Sequence, residues 1–174
     1  MEEDAECAKL KIPARLHRLE RAEISEFEES EELYRRVDPE RIKDEGLAMA
    51  AITFHGTGMS VNRQGPPSMR LCQYPEDVLF NTKDGKHYDG WSILTFTAEV
   101  VKKFSWDHPA TKKQFTLELK HAPDTCMYPH SDVRLISEGS QRQSVGAKRF
   151  SLEFKDRVAA LASARKEGCL VPQD

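Results

Sequence analysis

The chain has 174 residues, 39% of them hydrophobic and 32% charged, with a formal net charge of −3. That length makes one domain, or one domain plus an extension, able to bury a core, and the charged share places part of the chain outside it. The negative balance argues against a dedicated nucleic-acid binder, which needs a basic excess to neutralise phosphates, and no apolar run is long enough to span a bilayer.

The charge is uneven along the chain. Residues 1–32 hold eleven acids and five bases, a balance of −6, which leaves +3 for the rest. Leu10, Ala14, Leu16, Leu19, Ala22, Ile24 and Phe27 recur at steps of two to four residues, chiefly three or four. The spacing predicts a charged helix from about Pro13, because proline is tolerated in a first turn. An acidic arm of this kind either folds back on the mildly basic body or engages a basic protein partner. Cys7, Cys72, Cys126 and Cys169 are widely spaced and form no C-x-x-C pair. The N-terminus is acidic and lacks the apolar stretch of a signal peptide. Four reduced thiols in a cytoplasmic protein are the simplest expectation.

Residues 33–37 are β-favouring and stop at Asp38-Pro39, which predicts a strand. Residues 47–54 are read as a further strand running into the Gly56-Thr57-Gly58 turn. Met59-Ser60-Val61 and a long polar loop through Pro66-Pro67 follow. A short helix is expected from Pro75, a turn at Asp84-Gly85, and a strand over 91–98 that turns into a short helix over 98–104. Residues 115–121 alternate, with Phe115, Leu117 and Leu119 on one face, and 132–136 alternate more briefly. These two runs predict a hairpin with a wide loop. Phe150, Phe154, Val158, Leu161 and Ala162 mark one face of a C-terminal helix capped near Gly168. The expected fold is α+β: a small, mostly antiparallel sheet with a C-terminal packing helix and an N-terminal charged helix. It divides into a 1–32 extension, a 33–168 domain and a 169–174 tail.

The densest polar chemistry lies in the wide loop, at His121, Asp124, Cys126, His130 and Asp132. Either histidine, oriented by a nearby carboxylate, suits acid/base work near neutrality. His121, Cys126 and His130, with Asp124 or Asp132, are also zinc donors. Their H-x4-C-x3-H spacing fits no zinc finger, and a fourth ligand would come from His108 or His87, so no metal and no cofactor is expected. Gly56-Thr57-Gly58 lacks the third glycine and the lysine of phosphate-binding loops and reads as a plain turn. Arg35 and Arg36 are adjacent on a strand, so they face opposite sides, and one of them needs an anionic partner.

Two resemblances follow. Arg35 or Arg36, then Ser60, then a downstream acid is similar in order to the arginine, serine and glutamate of ADP-ribosyl transferases and related NAD-cleaving toxins. The stretch Leu33-Tyr34-Arg35-Arg36-Val37-Asp38-Pro39, followed by Phe54, Met59-Ser60-Val61 and Pro129-His130-Ser131, resembles a scattered set of small bacterial proteins to which no activity is attached. This second likeness spans about residues 33–136 and implies a bacterial origin and a compact domain. The leading expectation is a non-catalytic binding or interaction module of a bacterial multi-component system, in a defence or toxin-linked setting, with a protein partner met through the acidic N-terminal helix. The alternative is an enzyme acting on a nucleotide or other phosphate-bearing ligand. It would use His130, His121 and Asp124 as catalytic groups and Arg35, Arg36 and Ser60 as ligand-binding groups, and it requires these residues to converge on one cleft.

Overall fold

The computed structural model describes residues 7–17, 26–38, 42–43, 46–47, 58–66, 75–81, 84–107, 109, 112–137, 140–141 and 170–171. Their strands are β1 (Glu32–Val37), β2 (Ile42–Lys43), β3 (Gly46–Leu47), β4 (Met59–Arg63), β5 (Ser92–Thr97), β6 (Ser105–Asp107), β7 (Gln114–His121), β8 (His130–Ser137), β9 (Ser140–Gln141) and β10 (Leu170–Val171). The main sheet runs β10-β5-β1-β4-β8-β7-β6, with β9 beside β8, and β2 and β3 form a separate ladder. All of these pairings are antiparallel, and the main sheet curls into an open half-barrel.

Alternation along the strands sorts the side chains onto two faces. Leu33 and Val37 of β1, Met59 and Val61 of β4, Leu94 and Phe96 of β5, and Val133 and Leu135 of β8 share one buried core. Helix α1 (Ala98–Lys102) closes that core with Ala98 and Val101. Its first amides find backbone partners in place of a side-chain cap: Ala98 N donates to Glu31 O at 2.8 Å and Glu99 N to Glu29 O at 2.9 Å. The other face carries a smaller cluster of Tyr34, Val78, Leu79 and Ile93, with Tyr88 and Trp91 against it. Val78 and Leu79 belong to a 3-10 turn over Pro75–Leu79, where the sequence predicts a short helix from Pro75. Gly58 opens β4 at φ +114, and a Cβ there would sit 2.8 Å from Val133 O, so only glycine lets β4 lie this close to β8.

The core also encloses a full positive charge. Arg63, at the end of β4, is completely buried. Its Nε donates to Glu31 Oε1 at 2.6 Å, and its Nη2 donates to Glu31 Oε2 at 2.8 Å and to Glu26 O at 2.6 Å. Glu31 Oε1 also accepts from Gly65 N at 2.8 Å, and the Phe27 ring lies 3.8 Å from the guanidinium carbon.

The arm differs from the expected helix. A 3-10 turn over Ala14–Leu16 ends at an extended His17, and Lys11 is left-handed at φ 56. A continuous helix from Pro13 is therefore stopped at residue 17, and residues 26–28 are not helical. The cause is packing. Cys7, Ile12 and Leu16 are buried together with Cys126 and Met127. Cys7 and Cys126 form a disulfide with Cα atoms 5.3 Å apart. That bond corrects the expectation of four reduced thiols, and the cytoplasmic placement loses that support. Leu170–Val171, expected as tail, pairs with Leu94 and Ile93 of β5. The expected C-terminal helix from Phe150 to its cap near Gly168 and most of the strand over 47–54 lie outside the described residues. Among the described residues, no helix is long and apolar enough to cross a membrane.

Removing one charge strands the other in the core. Glu31→Gln or Arg63→Met is expected to lower unfolding free energy by about 3–5 kcal/mol in urea titrations, while the double variant Glu31→Leu/Arg63→Met recovers much of the loss.

Candidate functional site

Strands β1 and β4 pair only at Leu33–Arg63 and Tyr34–Asn62. Beyond those two pairs they part. β1 continues along β5 to Val37–Ser92, while β4 continues along β8 to Met59–Val133. Arg35 reaches across the gap, its Nη1 donating to Ser60 O at 2.8 Å. The opening is a cleft of about 440 Å³. Arg35, Arg36, Ser60 and Asn62 form its floor, and Val78, Phe80, Asn81 and Trp91 stand on one side. Asp124, Met127 and His130 stand on the other.

Arg36 is half-buried and stacked, its guanidinium carbon 3.8 Å from the Tyr88 ring centre and 5.7 Å from that of Trp91. Tyr88 is held in turn by Asn81 Nδ2, which donates to its hydroxyl at 3.0 Å. Burial pushes the Arg36 guanidinium below its ordinary pKa, with Tyr88 opposing the shift. No carboxylate partners Arg36 among the described residues.

His130 begins β8. Its Nδ1 donates to Ala122 O at 2.7 Å, which leaves Nε2 as the free ring nitrogen, 4.0 Å from Asp132 Oδ1. Arg134 Nη2 lies 3.6 Å from Asp132 Oδ2, so His130, Asp132 and Arg134 form a row on one face of β8. In this arrangement Nε2 is the nitrogen able to give or take a proton at the cleft wall.

Five of the six residues expected to converge therefore line one cleft: Arg35, Arg36, Ser60, Asp124 and His130. His121 does not. It pairs with Ser131 rather than His130, and adjacent strand residues face opposite sides. Its Nδ1 donates to Ser131 Oγ at 3.3 Å, and Ser131 Oγ donates onward to Pro129 O. The imidazole meets the Tyr128 ring edge-on at 5.1 Å, and its Nε2 is buried with no hydrogen-bond partner among the described residues. Burial, and next the Arg63 charge, push the His121 pKa down to about 4, against an opposing pull from Glu31. The shift favours the neutral form of this half-buried imidazole, which lies outside the cleft lining. Cys126 is consumed by the disulfide, so the zinc donor set weighed for this loop loses its thiolate.

Asn62 and Asn81 are cleft residues that the sequence reading missed. The available signal was alternation: Ser60 and Asn62 follow Met59 and Val61 in strict period two, so the strand extends past Val61. No protein-family model, no curated protein and no solved structure matches the chain.

The depressed His121 pKa sets a pH dependence. Its folded value lies below its unfolded one, so the stabilisation is whole above about pH 6.5 and is lost as pH falls toward 4. Unfolding free energy is expected to fall over that window by on the order of 1–2 kcal/mol after solvent screening. In His121→Phe, which keeps a ring against Tyr128, urea midpoints measured across the same window should show a correspondingly smaller decline.

Proposed function

We propose that the protein is a binding module whose cleft between β1 and β4 takes a small anionic ligand, with a phosphate-bearing group held by Arg36 and Arg35. The observation that carries this reading is Arg36. A partly desolvated guanidinium without a carboxylate among the described residues is a cation whose charge a ligand can complete. Tyr88 and Trp91 hold it from the side, so little side-chain entropy is lost on binding. Asn62, Asn81 and the Ser60 hydroxyl supply neutral polar groups, and Phe80, Met127 and Trp91 supply apolar wall for a flat, uncharged portion.

An enzymatic variant of this reading draws support from His130, whose Nε2 is free at the same wall. It would act as an acid/base group on a phosphate ester or on NAD. Incubation with NAD or phenyl phosphate and analysis of the products tests it, and His130→Gln should abolish any turnover seen.

The binding reading is tested with phenyl phosphate as probe, following quenching of tryptophan fluorescence and amide shifts. Saturable binding is expected, with Arg36→Ala weakening it by about tenfold or more. Absence of binding at millimolar phenyl phosphate would remove the proposal.

A further inference from the structure

The two sides of the cleft come from segments distant in sequence, 75–81 and 124–130, and the N-terminal strap 7–17 touches both. On the 124–130 side the contacts are covalent and polar. Cys7 is bonded to Cys126 across 119 residues, and Tyr128 N donates to Leu16 O at 2.7 Å. Ile12 and Leu16 pack with Met127, whose sulfur accepts from Asn62 Nδ2 at 3.1 Å on the cleft floor. On the other side Leu10 and Phe80 join the same apolar cluster. The Leu10 backbone also rests directly on Gly85. Gly85 has φ +68, and a Cβ there would run into the Leu10 carbonyl. Gly85 and Lys86 are fastened to the cleft wall through Asn81, whose carbonyl accepts from Gly85 N at 2.8 Å and whose N donates to Lys86 O at 2.9 Å. The strap itself is folded back on a hydrogen bond from His17 Nε2 to Ile12 O at 2.9 Å. It is therefore a brace between the walls, with one end tied by a bond that redox chemistry can open.

We infer that strap 7–17 is a redox-latched clamp on the cleft: with Cys7–Cys126 closed the walls are held at their present spacing, and with it open they part and the anion site loosens. Without the bond, the 124–130 loop keeps its own turn, through Asp124 N to Met127 O at 3.2 Å and Met127 N to Asp124 O at 3.1 Å. Those bonds lie within the loop and do not hold it to 75–81. The chemistry is thiol–disulfide exchange with a dithiol reductant. One reductant thiolate attacks a cysteine sulfur, forming a mixed disulfide and releasing the other cysteine as thiolate. The second reductant thiol then closes the reductant's own disulfide, and Cys7 and Cys126 each gain one proton, a two-electron transfer in all. Both cysteines are buried, so attack waits on fraying of the strap, and opening is slow compared with that of an exposed disulfide.

The affinity consequence rests on the anion-binding reading above, whereas the clamp itself does not, and the experiment separates them. The full chain is compared as the oxidised protein, as the dithiothreitol-reduced protein with two additional titratable thiols, and as Cys7→Ser/Cys126→Ser. Amide hydrogen exchange and phenyl phosphate titration are the readouts. The clamp requires an unchanged sheet signal in circular dichroism, exchange faster by about tenfold or more in both 75–88 and 124–130, and phenyl phosphate bound about tenfold more weakly in both opened forms. Faster exchange confined to 124–130, or global unfolding of the opened protein, overturns the clamp, because the first shows no coupling between walls and the second shows a general staple. If phenyl phosphate binds none of the three, the exchange result still decides the clamp and the anion reading alone falls.

Discussion

The ion pair between Arg63 and Glu31 is the constraint around which the fold is arranged. Taking two charges out of water costs several kcal/mol per ion, and that cost is offset only where geometry and further hydrogen bonds are complete. Here they are: two contacts join guanidinium and carboxylate, Glu26 O and Gly65 N take the outlying positions, and Phe27 covers one face. The same two residues hold four parts of the molecule together by their backbones. Arg63 N donates to Pro129 O at the mouth of the β7–β8 loop, and Glu31 O accepts from Ala98 N at the start of α1. Strands β1 and β4 meet beside this pair and nowhere further along. The cleft thus lies where pairing anchored by a buried charge gives out.

Three arginines close together show how placement decides role. Arg63 is enclosed and matched by a carboxylate, and Arg35 donates from Nη1 to the carbonyl of Ser60. Arg36 is partly desolvated over aromatic rings. The histidines divide in the same way. A one-residue difference in register puts His130 at the cleft wall, with one nitrogen fixed and the other free, and turns His121 to the opposite face, where it is held neutral.

Much of the sheet was legible because its strands obey period two with β-favouring residues. β1, β5, β7 and β8 fall where alternation put them, as does the short helix after β5. β4 was cut short because Asn62 and Arg63 look like loop residues, and the partner that makes Arg63 tolerable in a core is 32 positions away. The arm failed for a related reason. Its apolar spacing fits a helix, but tertiary burial of Cys7, Ile12 and Leu16 outweighs a local periodicity, and wide cysteine spacing carries no information on pairing. Arg35, Arg36, Ser60, Asp124 and His130 could be singled out by residue type. Their shared cleft depends on where two strands separate, which no local pattern encodes.

The strand order carries a kinetic consequence. The β7–β8 hairpin is a local pairing, with seven register positions joined directly through the loop over 122–129. β1, by contrast, is flanked by β4 and β5, which arrive from roughly 30 and 60 residues downstream. Loop-closure entropy must be met before those pairings reward the chain, so the hairpin is the cheapest element to form first, and the pairings of β1 with β4 and β5 follow it. Until β1 arrives, the guanidinium of Arg63 has no carboxylate beside it and stays hydrated. Desolvation of that one side chain then coincides with the pairing of β1 and β4, so the step that joins those two strands also encloses the charge.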